Sequence, residues 1–119
     1  MREADIQSLI RLHVSERRLG ILFRANVGEA WTGSRIEHNP DGSITIFNPR
    51  RFKTGLPPGF SDLFGVDSSG RAAFIEVKTP TGRVTPEQEK FLNMMIKAGA
   101  LAGVARSPDD AEKILGGRL

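Results

Sequence analysis

The chain has 119 residues, a formal charge of +3, two histidines and no cysteine. That length supports one substantial core and not two, and the missing cysteine excludes disulfides, thiolate metal sites and cysteine nucleophiles. A pI near 9.8 permits a polyanionic partner without demonstrating one, and with only His13 and His38 no histidine-rich metal site can form.

Residues 2–19 read as a helix, because Ile6, Leu9, Ile10, His13 and Val14 recur at steps of three and four and Gly20 follows as a helix-ending glycine. Glu3 lies near its start, where position alone favours a simple role complementing the helix dipole. Ile21 to Val27 reads as an apolar strand bounded by glycines. From Gly28 to Phe60 the chain is rich in glycine, proline and basic charge. Arg35–His38 and Ser43–Phe47 alternate in polarity around Asn39-Pro40-Asp41-Gly42, which suits a type I turn, so a protruding hairpin is expected within an insertion spanning about residues 31–47. Asn48 to Gly55 reads as a basic loop with Phe52 at its centre.

Ser61–Val66 and Arg71–Lys78 form a predicted antiparallel pair around the turn Asp67–Gly70. A second helix begins at a well-marked cap: Thr85 at the N-cap, Pro86 in the first helical position and Gln88 completing a capping box. Phe91, Leu92, Met95 and Ile96 form its apolar face and Gly99 ends it. Ala100–Arg106 reads as a buried strand, and Ser107-Pro108-Asp109-Asp110 caps a short helix ending at Leu115. The order α, β, inserted hairpin, β, β, α, β, α specifies an α/β domain with a mixed sheet flanked by helices, a single domain over residues 1–119. No stretch is long and apolar enough to span a bilayer, the longest being Ala98 to Ala105. No apolar signal core follows Met1–Asp5, so a cytoplasmic setting and no membrane association are expected.

Chemistry concentrates at Asp62 and Glu76-Val77-Lys78. On a strand, Glu76 and Lys78 project to one face while Ile75 and Val77 project to the other. Antiparallel pairing with the preceding strand can bring Asp62 beside Glu76. Two carboxylates and an ammonium in a central strand are costly to bury unless they pair or hold a cation. A hard divalent ion such as Mg²⁺, which takes carboxylate oxygens, waters and phosphate oxygens, is the economical explanation. Such a site suits phosphodiester hydrolysis, with Lys78 positioning the nucleophile, relaying its proton or stabilising the transition state.

These residues resemble the PD-(D/E)XK nuclease pattern, and more closely the VRR-NUC (virus-type replication-repair nuclease) family within it. The resemblance rests on Pro58-Gly59-Phe60-Ser61-Asp62-Leu63, Phe74-Ile75-Glu76-Val77-Lys78, Gly82-Arg83, Pro86-Glu87-Gln88, Leu92, Gly99 and Gly103-Val104-Ala105-Arg106-Ser107. Ser61 stands where the superfamily's name has proline, and Trp31–Phe47 has no counterpart. The resemblance implies a restriction-endonuclease-like αβββαβ core and Mg²⁺- or Mn²⁺-dependent DNA cleavage. It implies Asp62, Glu76 and the Val77 carbonyl as metal ligands, Lys78 as the catalytic lysine, and Glu3 as a helix-borne acid completing the site, which reverses the dipole interpretation. It places Gln88 at the active site as well as in the cap. Small stand-alone members resemble Holliday junction resolvases: homodimers, often phage-encoded, that cut branched DNA.

Arg50, Arg51 and Lys53 around Phe52 resemble a phosphate-tracking loop, against which stands a plain solubilising role. Arg24, Arg83 and Arg106 lie near strand ends where a phosphate could reach them. Trp31 is a candidate for base stacking or for covering a sheet edge. His38-Asn39 lacks the second histidine of a histidine-metal nuclease. Two rivals stand beside the nuclease: a catalytically silent nucleic-acid-binding module on the same fold, and an assembly protein whose acid–lysine set is a structural ion pair.

Overall fold

A computed structural model describes residues 1–26 and 28–116. They fall into two compact units, Met1–Ala25 with Pro58–Leu119, and Asn26–Pro57.

In the first unit, helix α1 (Glu3–Glu16) buries Ile6, Ile10 and Val14, one residue per turn. The chain does not use Gly20 to leave it. Arg18 adopts the left-handed conformation with φ of 55°, Leu19 N–H donates to the Val14 carbonyl at 2.9 Å and Arg18 N–H to that of Ser15 at 3.2 Å. That is a Schellman ending built on arginine, a residue for which αL carries a steric cost that the two hydrogen bonds offset. Gly20 instead opens strand β1 (Gly20–Arg24), where a Cβ would collide with the Val66 carbonyl oxygen. The predicted strand thus starts and stops earlier than its apolar run; Val27 lies outside the described residues.

Strands β6 (Leu63–Asp67), β7 (Ala72–Val77) and β8 (Leu101–Ala105) complete a sheet in the order β1-β6-β7-β8. The first three pair antiparallel, and β8 runs parallel to β7. The parallel step requires a crossover, supplied by helix α2 (Pro86–Lys97), and helix α3 (Pro108–Gly116) closes the chain. This is the mixed α/β sheet flanked by helices that the pattern specifies, consistent with a restriction-endonuclease-like core.

The two faces of the sheet have different chemistry. On one, Leu22, Leu63, Ala73, Ile75, Val77 and Ala105 pack with the buried stripes of α1 and α3 into an aliphatic core. On the other, Phe60, Phe64, Phe74 and Phe91 form an aromatic cluster with ring centroids 4.8–5.9 Å apart, which seats α2. Because α2 is held by its Phe91 turn, Ile96 stays 51% exposed rather than joining an apolar face. Edge strand β1 likewise buries only Leu22, leaving Ile21 and Phe23 more than half exposed. No helix among the described residues is long and apolar enough to cross a membrane.

The second unit consists of two two-stranded ribbons. β3 (Arg35–His38) pairs with β4 (Ile44–Phe47) as the alternation predicts, and Gly42 N–H donates to the Asn39 carbonyl at 3.0 Å across the expected turn. The second ribbon departs from expectation: β2 (Glu29–Thr32) pairs with β5 (Arg50–Lys53), so the basic segment is a strand rather than a loop. Its apparent loop character came from charge. With only two strands, neither face needs an apolar stripe, and Glu29 lies across from Lys53 to pair with the cations.

Candidate active site

The register of β6 against β7 sets Leu63 opposite Ile75, so one residue further along Asp62 comes level with Glu76. Oδ2 of Asp62 accepts the Val77 amide at 2.9 Å, which ties the carboxylate to β7. Lys78 N–H donates to the Ala105 carbonyl at 3.1 Å, continuing the β7–β8 ladder one residue past β7. Glu76 and Lys78 project to the aromatic face, and they are only 2% and 8% exposed. Oε2 of Glu76 accepts a hydrogen bond from Gln88 Nε2 at 2.9 Å and lies 3.8 Å from Lys78 Nζ. Oε1 of Glu76 is buried and receives no hydrogen bond.

Burial pushes the Glu76 carboxyl up to about 8, and the adjacent Asp62 carboxylate adds to the rise, while the Lys78 charge opposes it. The two acids can share a hydrogen bond only when one of them is protonated, so with both ionised Oε1 has no donor. A buried carboxylate oxygen without a partner costs about 1–3 kcal/mol, more when it is charged. The site therefore sits in a high-energy state at neutral pH unless a proton or a cation joins it.

Three local devices aim these groups. Gly59 has φ of 82°, and a Cβ there would meet the Glu87 carbonyl and the Gln88 amide, so the chain before β6 and the first turn of α2 approach as only glycine allows. The capping box is real: Gln88 N–H donates to Thr85 Oγ1 at 3.2 Å and Thr85 N–H to Gln88 Oε1 at 2.9 Å. Its Nε2 is then free to reach Glu76, so Gln88 is both cap and site residue. Finally, Ser61 is fully buried and its hydroxyl donates to the Leu63 carbonyl at 2.9 Å, folding the chain into β6 directly beside Asp62.

Among known protein families, the VRR-NUC domain matches residues 1–109 of this sequence. The chain belongs to the VRR-NUC family. No curated protein matches it. Membership makes it a nuclease-type domain, and the acid pair, lysine and glutamine converge on the segments that carry the VRR-NUC resemblance.

The remaining predicted residues sit on several elements. Glu3 is half-buried in the first turn of α1, and no three carboxylate or histidine side chains among the described residues converge closely enough to hold an ion. Arg24 is exposed at the end of β1, and the following Ala25 N–H donates to the Asp62 carbonyl at 2.8 Å, which brings this strand end to the acid corner. Arg83 is exposed just beyond the turn that follows Lys78. Arg106 is differently employed: its Nη1 donates to the carbonyls of Thr79 and Gly82 at 2.6 and 2.7 Å, and its own amide is held by Asp110. It fastens the turn leaving Lys78 rather than projecting freely toward a phosphate. Arg50, Arg51 and Lys53 lie on β5 in the second unit, all exposed.

Two contributors escape sequence reasoning. Phe60, in the segment leading to Asp62, anchors the aromatic cluster on the sheet face that carries Glu76; four phenylalanines at unequal spacings carry no periodic pattern. The Arg106 clamp joins residues 24 and 27 positions apart, and only the β7–β8 pairing brings them together.

The residues of this corner suit a hard divalent cation. The donors are carboxylate oxygens, one buried oxygen lacks any partner, and Glu76 prefers to be neutral until positive charge arrives.

Proposed function

We propose that this VRR-NUC domain is a divalent-cation-dependent DNA endonuclease that hydrolyses phosphodiester bonds in branched or otherwise structured DNA, acting in the cytoplasm as a homodimer. The observation that carries this reading is Glu76: buried, set against Asp62, with one oxygen unpartnered and an ammonium beside the other. A structural ion pair would close on itself; with both acids ionised, this one leaves an acceptor open.

Asp62, Glu76 and the Val77 carbonyl would hold Mg²⁺ or Mn²⁺, with Glu3 as the more distant acid that family resemblance adds. When bound, the ion supplies Lewis-acid polarisation of the phosphodiester and neutralises charge growing on its oxygens. The chain's own residues do the rest. Gln88 fixes the Glu76 carboxylate through Oε2. Lys78, buried and near Glu76 without a short hydrogen bond to it, keeps protons available to orient a water or to stabilise negative charge in the transition state. Arg24, Arg83, Arg50, Arg51 and Lys53 are the proposed phosphate contacts, whereas Arg106, with Nη1 engaged by the Thr79 and Gly82 carbonyls, fastens the turn behind Lys78. Pairing of two copies is supported by exposed Ile21 and Phe23 on edge strand β1 and by the need for two incisions to resolve a four-way branch.

The test is cleavage of labelled four-way, flap, single-stranded and duplex DNA in Mg²⁺ or Mn²⁺, with Glu76→Ala purified alongside. Metal-dependent cutting by the natural chain, lost in the variant with DNA binding retained, supports the proposal. Equal activity in both preparations, or none on any substrate, overturns it.

A further inference from the structure

The β2–β5 ribbon carries a feature of its own. The pairing register sets Trp31 opposite Arg51 and Glu29 opposite Lys53, so these four side chains share one face. The Arg51 guanidinium lies 5.7 Å from the centre of the Trp31 ring. Trp31 is 57% exposed, and the side chains of Arg51 and Lys53 are 66% and 74% exposed. Glu29 holds both cations at 3.6–3.7 Å, beyond hydrogen-bond distance, as a loose counter-ion that a phosphate can displace. The reverse face carries exposed Phe52 opposite Ala30 and a single cation, Arg50, opposite Thr32.

A lone exposed aromatic carries no message. Here an indole and a phenyl ring project from opposite faces of one ribbon, the indole beside two cations and the phenyl beside one. We propose that this ribbon binds an unpaired DNA strand, with Trp31 stacking on a base and Arg51 and Lys53 contacting the flanking phosphates. The cations select a polyanion; the ring selects one whose base faces are accessible. In a duplex those faces are already stacked, so Trp31 could engage one only by disrupting the helix, whereas unpaired DNA offers them at no such cost. The choice of DNA as polymer rests on the nuclease reading above; the stacking geometry does not.

Trp31 is the only tryptophan in the chain, so its fluorescence reports directly on this face. The full chain in metal-free buffer with EDTA is titrated with a thymidine 12-mer, with the same strand annealed to its complement, and with inorganic polyphosphate. The proposal expects strong quenching by the single strand, affinity lower by about tenfold or more for the duplex, and little quenching by polyphosphate. By anisotropy of labelled 12-mer, Trp31→Ala weakens binding by about fivefold or more, as loss of one stacked base should. Arg51→Gln lowers the salt slope by somewhat less than one, as expected for one single-strand phosphate contact. Saturating binding without quenching, quenching by polyphosphate equal to that by DNA, or preference for duplex overturns the ribbon assignment. Cleavage that persists without quenching condemns the ribbon alone, and quenching in a chain that cuts nothing condemns the nuclease reading alone.

Discussion

The acid corner and the β2–β5 ribbon both place carboxylates beside cations, yet they do so under opposite dielectric conditions. At the corner, Glu76 and Lys78 are almost removed from water and 3.8 Å apart. On the ribbon, Glu29 stands a similar 3.6–3.7 Å from Arg51 and Lys53, with every partner close to half exposed or more. Water makes the second arrangement nearly free and therefore nearly uninformative about function. Its absence makes the first arrangement expensive unless something else enters, which is why burial rather than sequence motif gives the corner its functional meaning. Separation alone would rank the two clusters alike.

The sharpest way to break this contrast is to remove the corner's charge. Glu76→Gln keeps the shape and removes the ionisable group. Cleavage should fall at least about a thousandfold, in the range seen when a principal electrostatic contributor is lost, while the cation-free protein melts at the same or a higher temperature above pH 7. A variant that loses stability at every pH would mean the carboxylate is structural.

The pH dependence follows from the same residue. Its carboxyl rises from 4.5 in the free chain to about 8 in the fold, so the folded state favours the protonated acid. The stabilisation this gives is complete below about pH 4.5 and is lost as pH climbs through 8. A bound divalent ion would replace that proton, so the gain in melting temperature on adding Mn²⁺ should be small at pH 5.5 and largest near pH 8.5. Glu76→Gln should abolish the trend, and a Mn²⁺ shift independent of pH in the natural chain would sever the link between acid and ion.

Much of this was legible in the sequence and some was not. Periodicity located α1, α2, β6 and β7, and period-two alternation put Glu76 and Lys78 on one face, because these rules are local. The Thr85–Gln88 box was visible for the same reason, although its second duty at Glu76 depends on Gly59 letting α2 approach. The ribbon was hidden because Arg50-Arg51-Phe52-Lys53 looks like a solvated loop until Glu29–Thr32, distant in sequence, pairs with it. Gly20 misled because glycine signals both a helix end and a close strand approach, and here the Schellman turn fell on Arg18. The duty of Arg106 was invisible because an arginine at a strand end looks the same whether it faces a phosphate or a carbonyl.

Arg106 offers a test of intermediate size. Arg106→Gln frees the carbonyls of Thr79 and Gly82, loosening the turn behind Lys78, and turnover should drop about tenfold, the loss of one charge-assisted hydrogen bond in effect. DNA affinity and its salt slope should stay the same, whereas a lost phosphate contact would lower the slope by about one. Phe23→Lys on the exposed edge of β1 addresses assembly instead. Sedimentation should show monomer in place of dimer, and a natural chain that is monomeric both free and on DNA removes that part of the proposal.

The smallest effect belongs to the ribbon. Glu29→Gln removes the counter-ion of Arg51 and Lys53, and because all three side chains are well solvated the folded state should change by no more than about 0–1 kcal/mol. Binding should move in the opposite sense from the corner mutant: without the carboxylate both cations are wholly available to phosphates, so affinity for the single-stranded 12-mer rises a few-fold and its salt dependence steepens slightly. An acid lost from the corner thus removes activity, while an acid lost from the ribbon improves binding at almost no cost to the fold. If Glu29→Gln instead melts the protein or weakens DNA binding, the ribbon's ion pairs are structural and the line between its charges and those of the corner disappears.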